Sequence, residues 1–199
     1  MMQNRLFSQG FGLIEMMITV SIMALLMAAV GPSMTEWIVN TRLRSSAEVT
    51  LAGLQKARSE AIKSNQVVKF WMVSPTAASK LDNTCALSPA SPSWVISISN
   101  PAGACASEPS STVEPMIIES RGAGKTATGI DVSAMSGSNA AATQVGFNGF
   151  GQRPLVTPDT DIRSIDFTST TTGTRHLRIE ISAGGSVRMC DVVAPKVAC

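Results

Sequence analysis

Gly10-Phe11-Gly12-Leu13-Ile14-Glu15-Met16-Met17 opens an apolar run that continues to Val30, twenty residues counted from Phe11, with Glu15 as the one charge. At ~1.5 Å rise per residue, a helix of this length matches the ~30 Å of hydrocarbon in a bilayer. A carboxylate inside such a run costs on the order of a few kcal/mol and is seldom accidental. The flank ahead of it, Met1 to Gly10, carries Arg5 and no acid. A basic flank of that kind keeps the N-terminus inside and sends the remainder outside. A cleaved secretory signal is the competing reading. The run is longer than a typical signal core, and a cut after Gly31 would place Pro32 directly behind it. The apolar segment is therefore expected to stay with the mature chain.

Gly31-Pro32 follows the run, and a proline inside a helix removes a hydrogen bond and bends it. The helical pattern then resumes. Leu43, Ala47, Leu51, Leu54, Ala57 and Ala61 recur at spacings of three and four, while Arg42, Arg44, Glu48, Lys56, Arg58, Glu60 and Lys63 lie largely off that stripe. This is one face of an amphipathic helix, ended by Ser64-Asn65. The pattern predicts one long helix from about Phe11 to about Lys63, bent near Pro32, whose second half packs on a globular domain.

From Gln66 the period changes. Strands are expected at Val67–Val73, Trp94–Ser99, Met116–Glu119, Gln144–Phe147, Ser164–Ser169, His176–Ser182 and Ser186–Asp191, with a short one at Gly129–Val132. Each is a β-forming run bounded by Ser, Pro, Gly or Asn. Thr76–Ser93 and Asn100–Thr112 read as loops. Strands following one helix in this way imply antiparallel sheets packed on that helix, an α+β domain.

Composition sets outer limits. The 199 residues carry a net charge of +2, too small by itself to argue for nucleic-acid binding. Tyrosine is absent, so the core is expected to be mostly Val, Ile, Leu, Met and Phe. The four cysteines, Cys85, Cys105, Cys190 and Cys199, form no CxxC pair and are too spread for a zinc site. An even, wide spacing suits two disulfides in an oxidising compartment, and Cys85 with Cys105 and Cys190 with Cys199 are the natural pairs because each closes a short loop.

Gly10-Phe11-Gly12-Leu13-Ile14-Glu15 resembles the class III signal of type IV pilins and type II secretion pseudopilins. Gly12 and Met16 stand where that family usually has Thr and Leu, but the Gly, Phe and Glu positions match. The resemblance implies cleavage by a prepilin peptidase between Gly10 and Phe11, and N-methylation of Phe11. Glu15 then needs a partner in an apolar setting, and the new α-amine of Phe11 in the same or a neighbouring subunit is the nearest one. In that role Glu15 sets subunit registry; the alternative is a carboxylate that snorkels to the cytoplasmic interface. The whole layout is similar to the GspH/FimT subfamily of minor pilins, which places a two-sheet β domain on the C-terminal half of the long helix. Gly184-Gly185-Ser186-Val187-Arg188-Met189-Cys190-Asp191 resembles its closing strand. Some DNA-uptake pilins of that group carry Gly-Arg-x-Arg there. Gly185 and Arg188 match it, but Ser186 stands where the first Arg belongs.

Other motifs carry less. Gly122-Ala123-Gly124-Lys125-Thr126 lacks the first glycine of a phosphate loop, since Glu119 holds that position. His176, the one histidine, has no nucleophile signature to serve and reads as a strand-surface residue. Arg178 and Arg188 form a small basic patch if adjacent strands present them on one face, and they are the candidate DNA contact. The expectation is thus a non-enzymatic structural subunit without cofactor or metal. Residues 1–10 form a leader, 11–31 a transmembrane and assembly helix, 32–64 its amphipathic continuation, and 65–199 a periplasmic β domain. A minor pilin that starts or caps a type IV pilus is the leading reading. A type II secretion pseudopilin and a DNA-binding minor pilin are the alternatives. The expected partners are the prepilin peptidase, other pilins or pseudopilins and, for the precursor, the inner membrane.

Overall fold

The computed structural model describes residues 12–74, 81–124, 128–155, 159–192 and 199, and leaves the side chains of 28–33 undescribed. The leader, Gly10 and Phe11 lie outside these residues, as does the Pro32 side chain. Helix α1 runs from Leu13 to Ser64 as one element. Gly12 caps its start, with its carbonyl accepting from the amides of Glu15 and Met16. Asn65 ends it in the left-handed conformation, φ 51°, a role asparagine tolerates well.

Nine strands follow among the described residues: β1 (Val68–Ser74), β2 (Ala86–Leu87), β3 (Ser93–Ser97), β4 (Ile117–Arg121), β5 (Asp131–Ser136), β6 (Gln144–Phe147), β7 (Ile162–Thr168), β8 (Leu177–Ile181) and β9 (Val187–Asp191). They make two antiparallel sheets. In the first, β1 is central: β3 and then β4 lie on one side, and β6 and β2 share its other edge. The second has the order β5-β7-β8-β9. Both sheets face α1, giving the expected helix-on-antiparallel-sheet α+β architecture.

The stripe read from the sequence is the buried one. Leu43, Ala47, Leu54, Ala57 and Ala61 are fully buried and Leu51 is partly so. They meet Val68, Phe70, Met72 and Phe147 of the first sheet and Ile165, Phe167, Leu177 and Ile179 of the second. Small residues on the helix let the sheets come close. At Gly53 an added Cβ would lie 2.8 Å from the Trp94 ring, so that ring packs directly on the helix backbone. The outer face of the first sheet is also covered. Trp71, Val73, Val95 and Ile117 pack with Leu81 and the bonded pair Cys85–Cys105 in a second small core. A disulfide there holds a loop that has few apolar residues of its own to anchor it.

Two elements depart from the sequence reading. Ala86–Leu87 forms a two-residue strand against Val73–Ser74 inside a stretch read as loop. Such a pairing leaves no periodic signal in the sequence. The strand expected at Gly129–Val132 instead occupies Asp131–Ser136, because Val132, Ala134 and Ser136 alternate inward. Small residues such as Ala and Ser carry too little hydrophobic contrast to reveal that alternation.

Candidate functional site

The two candidate surfaces are the first half of α1 and the outer face of the second sheet. Every described side chain from Gly12 to Met27 is exposed, with Leu13 at 80%. Beyond the masked side chains, Met34 and Trp37 are still exposed, and burial begins at Val39. The Thr19 and Ser21 hydroxyls within this apolar half are satisfied locally. Thr19 donates its hydroxyl to the Met16 carbonyl at 3.0 Å, and Ser21 to Met17 at 2.7 Å. Bonds of this kind let a hydroxyl sit in an apolar medium without losing a partner. Glu15 lies in the first turn, where the positive end of the helix dipole favours a carboxylate. Its carboxylate has no hydrogen bond or ion pair among the described residues. Among those residues, no helix is long and apolar enough to cross a membrane. The described side chains of the run stop at Met27, short of the ~20 residues a span requires.

On the second sheet, β8 and β9 place Arg178 opposite Cys190 and Glu180 opposite Arg188. With period two, Arg178, Glu180, Arg188 and Cys190 share the outer face while Leu177, Ile179 and Ile181 turn inward. The structure thus brings the two sequence-singled arginines onto one face, but it does not leave both of them free. Arg178 grips Asp166 of β7 with two bonds, Nε at 2.7 Å and Nη2 at 3.2 Å. That bonding holds the Arg178 guanidinium above its ordinary pKa. His176 shares the same carboxylate, Nε2 to Oδ1 at 2.8 Å, so it is a bonded partner on the sheet face and not a bare surface residue. Of these two arginines, Arg188 is exposed and has no ion pair among the described residues. Asp166 was invisible to sequence reasoning because the pairing is cross-strand and depends on register. Cys190 is bonded to Cys199, with Cα atoms 5.5 Å apart, and both sulfurs lie near the Arg178 carbonyl.

This face borders an open polar groove of about 790 Å³, with Ser136, Ser138, Asp159, Arg163 and Ser182 on its walls. A bulge between Met135 and Ser136 skips Arg163 in the pairing, so Arg163 and Ser164 both escape the core. Arg163 stands 3.7 Å from Asp159, whose closer partner is Arg153. Arg153 is fully buried and bonds both Asp159 oxygens, at 2.6 and 3.2 Å. Those bonds hold the Asp159 carboxyl below the usual carboxylate range. The phosphate-loop lookalike lies partly outside the described residues. Ala123, in its described part, donates its backbone N–H to Ser93 on β3.

The family model described as type II transport protein GspH matches residues 46–185. The chain belongs to the GspH family. A second model, the prokaryotic N-terminal methylation motif, matches residues 6–31 of this GspH-family chain. No curated protein sequence matches. Two crystal forms of the type IV minor pilin FimU from Pseudomonas aeruginosa are similar in fold. One is 19% identical and covers 75% of this chain and 88% of FimU, with a TM-score of 0.44. The other is 17% identical and covers 73% and 90%, with a TM-score of 0.41. Within the family frame, the methylation motif ends at the residue before Pro32, and the GspH region begins at Ser46, within the buried stripe of α1.

Proposed function

We propose that this chain is a structural, non-enzymatic subunit of a type IV pilus: a minor pilin made as a membrane-anchored precursor. The observation that carries the reading is the N-terminal methylation motif over residues 6–31, lying on an exposed apolar helix half whose hydroxyls are internally satisfied. In this reading residues 1–10 are removed by a prepilin peptidase after Gly10, and Phe11 is N-methylated. Residues 11–31 cross the inner membrane and later pack among neighbouring helices, 32–64 continue the helix past Pro32, and 65–199 form the periplasmic domain. Without a hydrophobic driving force between helices in lipid, assembly depends on shape and on satisfying Glu15.

Glu15 supplies the test. A carboxylate left without the α-amine of Phe11 is costly in a filament core, and pairing with it fixes subunit register. Glu15→Ala is expected to leave the precursor inserted and cleaved but to reduce its incorporation into filaments about tenfold or more, as loss of a buried charge pair implies. Immunoblotting of sheared filaments against membranes reads the ratio. Unchanged incorporation would remove the registry role.

The GspH match favours a second reading, a type II secretion pseudopilin. The same physics applies there, and the partners become other pseudopilins. DNA binding has weaker support, because Arg178 is committed to Asp166 and Ser186 replaces the first motif arginine.

A further inference from the structure

Among the described residues, β9 pairs with β8 alone. Two bonds at the ends of that ladder fix which backbone groups point where. Val192 donates to the His176 carbonyl at 2.7 Å, and Ser182 donates to the Ser186 carbonyl at 3.0 Å. Bonded and non-bonded pairs alternate along an antiparallel ladder. The bonded pairs between those ends are therefore Arg178–Cys190 and Glu180–Arg188. Val187, Met189 and Asp191 turn their N–H and C=O groups away from β8, toward the open side. No hydrogen bond among the described residues meets those groups.

This edge is not a bare rim. Helix α1 runs beside it and leaves two grooves along the open side. One of about 430 Å³ lies between Trp37, Asn40 and Arg44 of the helix and Met189 and Asp191 of the strand. The other, about 290 Å³, lies between Arg58 and Ile62 and the strand residues Val187 and Arg188. Trp37 and Ile62 are 65% and 50% exposed, apolar surface beside backbone that has no hydrogen-bond partner among the described residues. The charge is mostly positive. Arg44 is held by Glu48 and Arg175 by Asp191, but Arg188 has no ion pair among the described residues.

We propose that the β9 edge accepts an extended segment of a different protein chain as an added strand. Its side chains alternate between apolar residues facing α1 and acidic residues facing Arg188. Backbone bonds to Val187 and Met189 supply the attachment, and the alternation supplies specificity. A second copy of this chain is a poor donor through its own β9. Antiparallel pairing of two β9 edges would point the two α1 helices in opposite directions, and the two Leu13–Met27 segments could not enter one membrane or one filament core. The partner is thus another component of the assembly. This inference rests on the filament-subunit reading.

The test compares amide exchange of the full chain in detergent with that of the same chain recovered in sheared filaments. Protection of the Val187 and Met189 amides is expected to rise about tenfold or more on assembly, since a ladder bond closes a freely exchanging edge. Val187→Pro removes only an outward N–H and spares the β8 ladder, so it is expected to abolish incorporation while Val187→Ala retains it. Assembled chain whose Val187 and Met189 amides exchange as fast as in detergent overturns the added strand and leaves the function reading standing. So does normal incorporation of Val187→Pro. A chain found in no assembled fraction, with an unmethylated N-terminus, removes both.

Discussion

Gly185→Ala is expected to lower the stability of the β domain by about 3 kcal/mol, from the strain of a positive φ together with overpacking. Gly185 sits in the β8–β9 turn with φ +76°, and an added Cβ would lie 1.8 Å from the Gly151 carbonyl oxygen. That oxygen is already the acceptor for Arg58 Nε of α1, at 2.9 Å. Gly151 in turn has φ +70° and rests on the Ile62 side chain, where its own Cβ would come within 2.7 Å. Helix, β6–β7 loop and β8–β9 turn thus meet through two glycines, and none can retreat without opening the others. The Asn148 side chain fixes the loop further, accepting from the amides of Phe150 and Gln152. Thermal unfolding of the full chain in detergent would show the midpoint falling by roughly 6–12 °C for that free energy. An unchanged midpoint would mean that the turn has freedom to move that this packing denies.

Asp159→Asn is expected to cost about 3–5 kcal/mol, because it leaves a buried charge without its counter-charge. The guanidinium of Arg153 has no side-chain exposure, and Asp159 is its ion-pair partner. Arg153 Nε already lacks a hydrogen bond among the described residues, so the pair with Asp159 is what makes burial tolerable. The reverse variant, Arg153→Met, is expected to cost less. Asp159 would keep Arg163 nearby and is itself a quarter exposed, so its charge would not be stranded. The same pair sets an acid limb. The folded-state pKa of Asp159 is lowered, so its stabilisation is fully present above the unfolded value of about 3.9 and fades as pH falls through the folded one. Chemical unfolding from pH 7 downward would show that limb in the wild type and a flatter one in Asp159→Asn. Equal limbs would assign the acid sensitivity to other carboxylates.

Much of the architecture was legible because it rests on period. The helix stripe from Leu43 to Ala61 and the inward residues of β7 and β8 have strong contrast between large apolar and charged neighbours. Where contrast is low, as at Val132, Ala134 and Ser136, the strand boundaries shifted. The two-residue β2 was not legible at all, since its existence depends on where Val73 and Ser74 arrive in space. The sites followed the same division. Glu15 stands out because charge in an apolar run is locally visible. That Arg178 and Arg188 share one face is only a condition in the sequence, because it depends on the β8–β9 register, and the carboxylate that occupies Arg178 lies on another strand. Arg153 is not singled out in the sequence, because only the tertiary fold buries it against Asp159. Gly185 was noticed as part of a motif, and its structural reason, contact with Gly151, needed the packing of three separate elements.

Mass spectrometry of the mature N-terminus tests the filament-subunit reading most directly. A chain beginning at Phe11 and carrying one methyl group on its α-amine is the predicted result. A retained Met1, a chain cut near Gly31, or an unmethylated Phe11 would contradict it.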